Sequence, residues 1–96
     1  MNNLQYSGSY KNMVNAAATA NICGLPCCIL GVFTATNGGG GTFQVYDDPA
    51  TGTSDPLTGA IVGVAGAWLP INMSNEHGLY VVLTGTLNIT VVYAPS

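Results

Sequence analysis

Charged side chains are almost absent from this chain: only 5% of its 96 residues are Asp, Glu, Lys or Arg, and the net charge is −3. An average soluble domain is about 25% charged, so this chain lacks the residues for an ordinary solvated surface. Because 48% of the residues are apolar, some apolar surface must lie outside the core, and contiguous exposed apolar surface usually marks an interface. The composition therefore predicts a small subunit of a larger assembly.

The same composition excludes several classes of partner. Phosphate recognition needs clustered Lys and Arg, and Lys11 is the only basic residue. We therefore expect neither a nucleic acid nor a membrane as partner. No apolar run reaches the roughly 20 residues that span a bilayer, and no basic segment precedes an apolar one as in a secretory signal. We expect the chain to act where it is made, or to leave the cell by lysis or in a particle.

Period-two alternation is the clearest structural signal. Residues 87–93 place Leu, Ile, Val and Tyr on one face and Asn, Thr and Val on the other, which is typical of a half-buried strand. Leu79–Leu83 predicts a strand paired with it through Thr84–Thr86. The glycine block 38–41 lies between two further strand-like runs and predicts a second hairpin.

The whole pattern predicts an all-β fold, a small antiparallel sandwich or jelly roll of six to eight short strands. Residues 1–20 are predicted to form an N-terminal arm or extended segment, and residues 21–96 the β-sandwich domain. A short helix in the Ala-rich stretch 12–20 is the less favoured alternative.

Three cysteines lie close together, at Cys23, Cys27 and Cys28. An odd number is not a disulfide framework, and zinc would need a second pair of Cys or His ligands. We interpret them as small buried hydrophobes or half-exposed thiols, with a local disulfide or a metal site as alternatives.

No motif for catalysis or for a cofactor is found. Glu76 and His77 are adjacent but lack the converging nucleophile and base of a triad, and no Lys or helix follows the glycine block as in a phosphate loop. The acidic loop 47–58 contains three aspartates. They are interpreted as turn-forming residues, with a cation site as the alternative. We expect a protein that is not an enzyme and has no cofactor.

Aromatic and acidic residues, together with Leu4 of the N-terminal arm, are the interface candidates. Trp68 is either a core anchor or an interface hot spot, and an exposed arm has no other reason to carry aromatic residues. The candidates are Leu4, Tyr6, Tyr10, Asp47, Asp48, Asp55 and Trp68.

Short turn and strand motifs, in a fixed order, carry a resemblance across residues 20–93. They are Gly24-Leu25-Pro26, Leu30-Gly31-Val32, the run Thr42 to Asp47, Gly78-Leu79-Tyr80-Val81, and the run Gly85 to Tyr93. In this order the chain resembles small virion proteins of tailed bacteriophages, β-sandwiches that decorate or cement capsids.

The resemblance implies a structural role at the capsid surface of the virion. Its implied partners are the major capsid protein and further copies of the chain, with a homotrimer matching the local three-fold sites of a shell. Two alternatives stay open: a tail or head-fibre component, and a small carbohydrate-binding module.

Overall fold

The computed structural model describes residues 12–95, which form eight β-strands and no helix. Leu4, Tyr6 and Tyr10 lie outside the described residues. No helix of the described part could cross a membrane. The strands are β1 (Asn12–Ala16), β2 (Ala20–Cys23), β3 (Cys27–Asn37), β4 (Thr42–Tyr46), β5 (Ile61–Val62), β6 (Trp68–Asn75), β7 (Leu79–Thr84) and β8 (Leu87–Pro95).

The strands form two four-stranded antiparallel sheets, and the all-β sandwich prediction is confirmed. The first sheet has the order β1-β8-β3-β6 and the second has the order β2-β7-β4-β5. Consecutive strands lie in opposite sheets, except for β4 and β5. Eight strands connected in this way between two sheets form a jelly roll.

The two predicted hairpins are wrong. β3 and β4, which flank the glycine block, lie in different sheets, and so do β7 and β8. Packed sheets lie about 10 Å apart, and these connections cross that gap instead of turning back within one sheet. Gly85 begins the β7–β8 crossing with a φ of 77°, a left-handed conformation that suits glycine.

The core lies between the inward faces of the two sheets. The alternation seen in the sequence of β8 is confirmed, because Leu87, Ile89 and Val91 are buried. From the second sheet, Phe43 and Val81 pack against them. Removing this apolar surface from water is the main force that holds the sheets together.

Residues 12–20 are extended, and they belong to the sandwich. β1 pairs with β8 from Asn12 opposite Tyr93 to Ala16 opposite Ile89, and Ala20 begins β2. The described part of the sandwich therefore includes residues 12–20, which precede the boundary predicted at residue 21.

Antiparallel topology gathers three connections at one end of the sandwich, which we call the cysteine end. It comprises residues 24–26, 47–60 and 76–78, which connect β2 to β3, β4 to β5 and β6 to β7. The start of β1 and the end of β8 lie there too, since Cys27 is opposite Pro95. Most of the chemically reactive side chains are thereby brought to this end.

Candidate functional site

The strand register defines the outer face of the first sheet. In β8, Leu87, Ile89 and Val91 point into the core, so the residues between them point outward, and their partners on β1, β3 and β6 share that direction. The outer face consists of Met13, Asn15, Cys28, Gly31, Phe33, Thr36, Trp68, Pro70, Ser74, Asn88, Thr90, Val92 and Ala94.

No residue of the outer face carries a charge, and three large apolar side chains on it are exposed. Met13 is 73% exposed, Trp68 48% and Phe33 37%. Val92 lies opposite both Met13 and Gly31, so apolar residues and glycine form a row across three strands. Large exposed apolar side chains in contiguous rows are characteristic of a surface that binds another molecule.

The second sheet differs because the chain itself covers part of its outer side. Asn21 Nδ2 donates a 2.8 Å hydrogen bond to the Ala50 carbonyl, and Gln44 Nε2 donates one of 2.9 Å to the Thr58 carbonyl. Both acceptors belong to the β4–β5 connection. Tyr80, opposite Asn21, is consequently only 9% exposed. The outer face of the first sheet has no comparable cover among the described residues.

The free edge at β6 is unsuited to strand pairing. Pro70 has no N–H to donate, and Asn72 has a φ of 55° where the register with β3 shifts. Proline and bulges are devices that keep an exposed edge from pairing with another chain. The first sheet is therefore better suited to association through its face than through this edge.

At the cysteine end, Asp47 holds the β6–β7 turn. One carboxylate oxygen accepts hydrogen bonds from the N–H groups of His77 (2.8 Å) and Gly78 (3.2 Å), and the other lies 3.2 Å from His77 Nδ1. Burial by itself would raise the pKa of Asp47, but these N–H groups and the His77 ring outweigh it and lower the pKa. Asp47 is 8% exposed, so it acts as an internal acceptor and offers little contact surface.

Asp47, Asp55 and His77 each place a potential ligand atom within 4.8 Å of the others. Carboxylate and imidazole groups can bind a divalent cation. The Asp47 oxygens, however, already accept the hydrogen bonds that hold the turn, while Asp55 and His77 are exposed. The turn alone accounts for the contact between Asp47 and His77.

The neighbouring Asp48 has a local role. Its Oδ1 accepts a 2.7 Å hydrogen bond from the N–H of Ala50, which confirms the turn-forming interpretation for this residue.

All three cysteines are free thiols. Cys27 is buried, and Cys23 and Cys28 are half-buried, as the interpretation of small buried hydrophobes and half-exposed thiols predicted.

A cleft of about 120 Å³ lies where the edge strands β5 and β6 approach each other. Apolar side chains such as Phe43, Ile61 and Leu69 line it. Small-molecule pockets are typically about 300–1,000 Å³ with a few convergent polar groups, and this cleft is smaller.

The sequence candidates are thus distributed between two regions. Trp68 lies on the outer face, whereas Asp47, Asp48 and Asp55 lie at the cysteine end. Sequence reasoning missed Met13 and Phe33. The alternation in β8 predicts which of its side chains point outward, but it does not show that Met13 and Phe33 lie opposite Val92 and Thr90.

Comparison with known proteins adds no relative. No protein-family model, no curated protein and no solved structure matches this chain.

Proposed function

We propose that this chain is a non-enzymatic structural protein of a bacteriophage virion, a capsid decoration protein. It binds the assembled shell through the outer face of the first sheet, as a homotrimer. The observation that carries the proposal is the uncharged outer face with its exposed apolar side chains, which the described residues leave uncovered while the β4–β5 connection covers part of the other sheet.

The energetics of the outer face favour burial against protein. Burying an unpaired charge is expensive, and Met13, Phe33 and Trp68 stand on this face without a charged neighbour in the register. Aromatic residues and Met are also enriched at protein interfaces. Docking of this face therefore removes apolar surface from water with little desolvation penalty.

The fold supports the proposal by analogy alone. Jelly rolls occur in viral capsid proteins and also in lectins, and a fold does not by itself define a function. A rigid sandwich supplies a shape-stable contact face. Because a decoration protein binds only the assembled shell, its binding free energy stabilises that state by mass action over many copies.

Copy number in purified virions tests the role. We expect quantitative mass spectrometry to find this chain in a simple integer ratio to the major capsid protein. A few copies per particle would instead assign it to the tail or a head fibre, and its absence from particles would overturn the structural role.

A carbohydrate-binding module is the second candidate. Phe33 and Trp68 lie opposite each other on adjacent strands and are both exposed, which gives an aromatic platform of the kind that stacks on sugar rings. Binding to a glycan array that is lost in Trp68→Ala would favour this candidate, and an array without binding would eliminate it.

A further inference from the structure

Two cysteines from different sheets lie on either side of one short loop at the cysteine end. Cys23 is the last residue of β2 in the second sheet, and Cys27 is the first residue of β3 in the first sheet. Only residues 24–26 separate them along the chain. Both side chains face the core: Cys27 belongs to the buried core cluster, and Cys23, which lies opposite the buried Leu79, packs against that cluster.

Cys28 is directed elsewhere, although it is adjacent to Cys27 in sequence. Consecutive residues of a strand point to opposite faces; Cys27 is buried, whereas Cys28 pairs with Ala94 on the outer face. The Cys28 Sγ lies 3.8 Å from the carbonyl oxygen of Ile29. The geometry therefore selects Cys23 as the partner of Cys27.

We propose that Cys23 and Cys27 form a disulfide that ties β2 to β3 when the chain meets a small-molecule disulfide oxidant. Two thiols and one oxidant RSSR give one intramolecular disulfide and two RSH, so the protein loses two hydrogen atoms and the oxidant is reduced. This inference concerns the end of the sandwich and does not depend on the proposed function.

The order of the two exchange steps follows from burial. Burial raises the pKa of the Cys27 thiol to about 12, and the neighbouring Cys23 adds to the shift. The half-buried Cys23 therefore reacts first: its thiolate attacks RSSR, forms a mixed disulfide and releases RS⁻. Cys27 then gives its proton to solvent and attacks the Cys23 sulfur, and the second RS⁻ leaves.

The disulfide strengthens a weakly held strand. β2 is an edge strand that pairs with β7 only through Ala20, Asn21 and Cys23, with a register shift before Cys23. Cross-linking a short loop stabilises mainly by constraining the unfolded chain. We expect the melting temperature of the oxidised protein to rise by about 10 °C.

Intact mass and peptide mapping of the purified chain, treated with oxidised glutathione, test the inference. The wild type and the matched control Cys28→Ala should each lose two hydrogen atoms, with the bridge mapped to Cys23 and Cys27. Cys23→Ala should form no intramolecular bridge while keeping its strand content by circular dichroism. Three free thiols in the treated wild type, or a bridge that involves Cys28, would overturn the proposal.

Discussion

The indole ring of Trp68 lies directly over Gly31, so closely that a Cβ atom at residue 31 would come 2.5 Å from Trp68 Cζ2. The carbonyl oxygen of Leu69 would be equally close, at 2.5 Å. The absence of a side chain at Gly31 thus allows the Trp68 ring to pack flat against the first sheet. Trp68 thereby becomes part of a flat outer face instead of projecting from it.

Gly31→Ala should therefore displace the Trp68 ring and destabilise the fold. The added methyl group meets both a ring and a backbone atom, and overpacking of this kind costs about 1–3 kcal/mol. Urea unfolding gives the free energy, and tryptophan fluorescence reports the displaced ring. Gly59→Ala is the control, because a Cβ there has no neighbour within 4 Å; equal losses in both variants would contradict the packing argument.

Met13→Lys should abolish docking through the outer face without unfolding the chain. Met13 is 73% exposed, and exposed substitutions usually change stability by less than about 0.5 kcal/mol. A buried unpaired charge in the docked state, however, is strongly unfavourable. The measurement is co-sedimentation of the purified variant with shells that lack this protein.

Leu25→Lys is the matched control for that experiment, because Leu25 is 70% exposed but lies in the β2–β3 loop. We expect it to bind shells like the wild type. Loss of binding in Leu25→Lys together with full binding by Met13→Lys would move the docking surface to the cysteine end.

Asp47 should make stability fall in acid. Its lowered pKa means that the folded state binds a proton less readily than the unfolded state does. Its contribution is thus complete above the unfolded carboxyl pKa and is lost as the pH falls from about 5. Urea midpoints between pH 7 and pH 3 measure this loss.

Asp47→Asn should lower stability at pH 7 by about 1–2 kcal/mol, because it weakens hydrogen bonds made to a charged acceptor. The substitution should also reduce the loss of stability between pH 7 and pH 3. Glu76→Gln, at an exposed position, should keep the wild-type slope; an unchanged slope in Asp47→Asn would show that other carboxyl groups cause the acid sensitivity.

Asn75 should be needed for the bulged pairing of β3 with β6. It is 1% exposed, and its Oδ1 accepts a 3.2 Å hydrogen bond from the N–H of Ile29. Asn75→Ala leaves that N–H buried without a partner, which costs about 1–3 kcal/mol. Thermal unfolding measures the loss, and Asn88→Ala on the exposed outer face should be nearly neutral.

The positions of several strands, and the side chains that each turns toward the core, were predictable from this sequence. The pairing partners of the strands were not. The alternation from Leu87 to Tyr93 fixes which side chains enter the core, since side-chain direction has a period of two. Nothing in that period says that β8 pairs with β1 and β3 instead of β7. The glycines at 38–41 and at 85 permit either a hairpin or a crossing between sheets, so local sequence left the choice open.

The candidate site was partly predictable for the same reason. The scarcity of charge predicts an interface, but the outer face exists only once Met13 and Phe33 are brought beside β8 by long-range pairing. The role of Asp47 could not be predicted from the sequence either. Its carboxylate accepts hydrogen bonds from the N–H groups of His77 and Gly78, which lie some thirty residues further along the chain.

The pairing of the first two strands with the last two constrains when this protein can fold. Among the described strands, β1 pairs only with β8, and β2 only with β7. Neither therefore has a neighbour until residues 79–84, for β2, or residues 87–95, for β1, have been synthesised. The chain must lose the entropy of closing these long loops before the strands can pair, and this slows folding. The nascent chain therefore leaves the ribosome with its earliest strands unpaired, and a premature stop before residue 87 would remove the strand that joins β1 to β3.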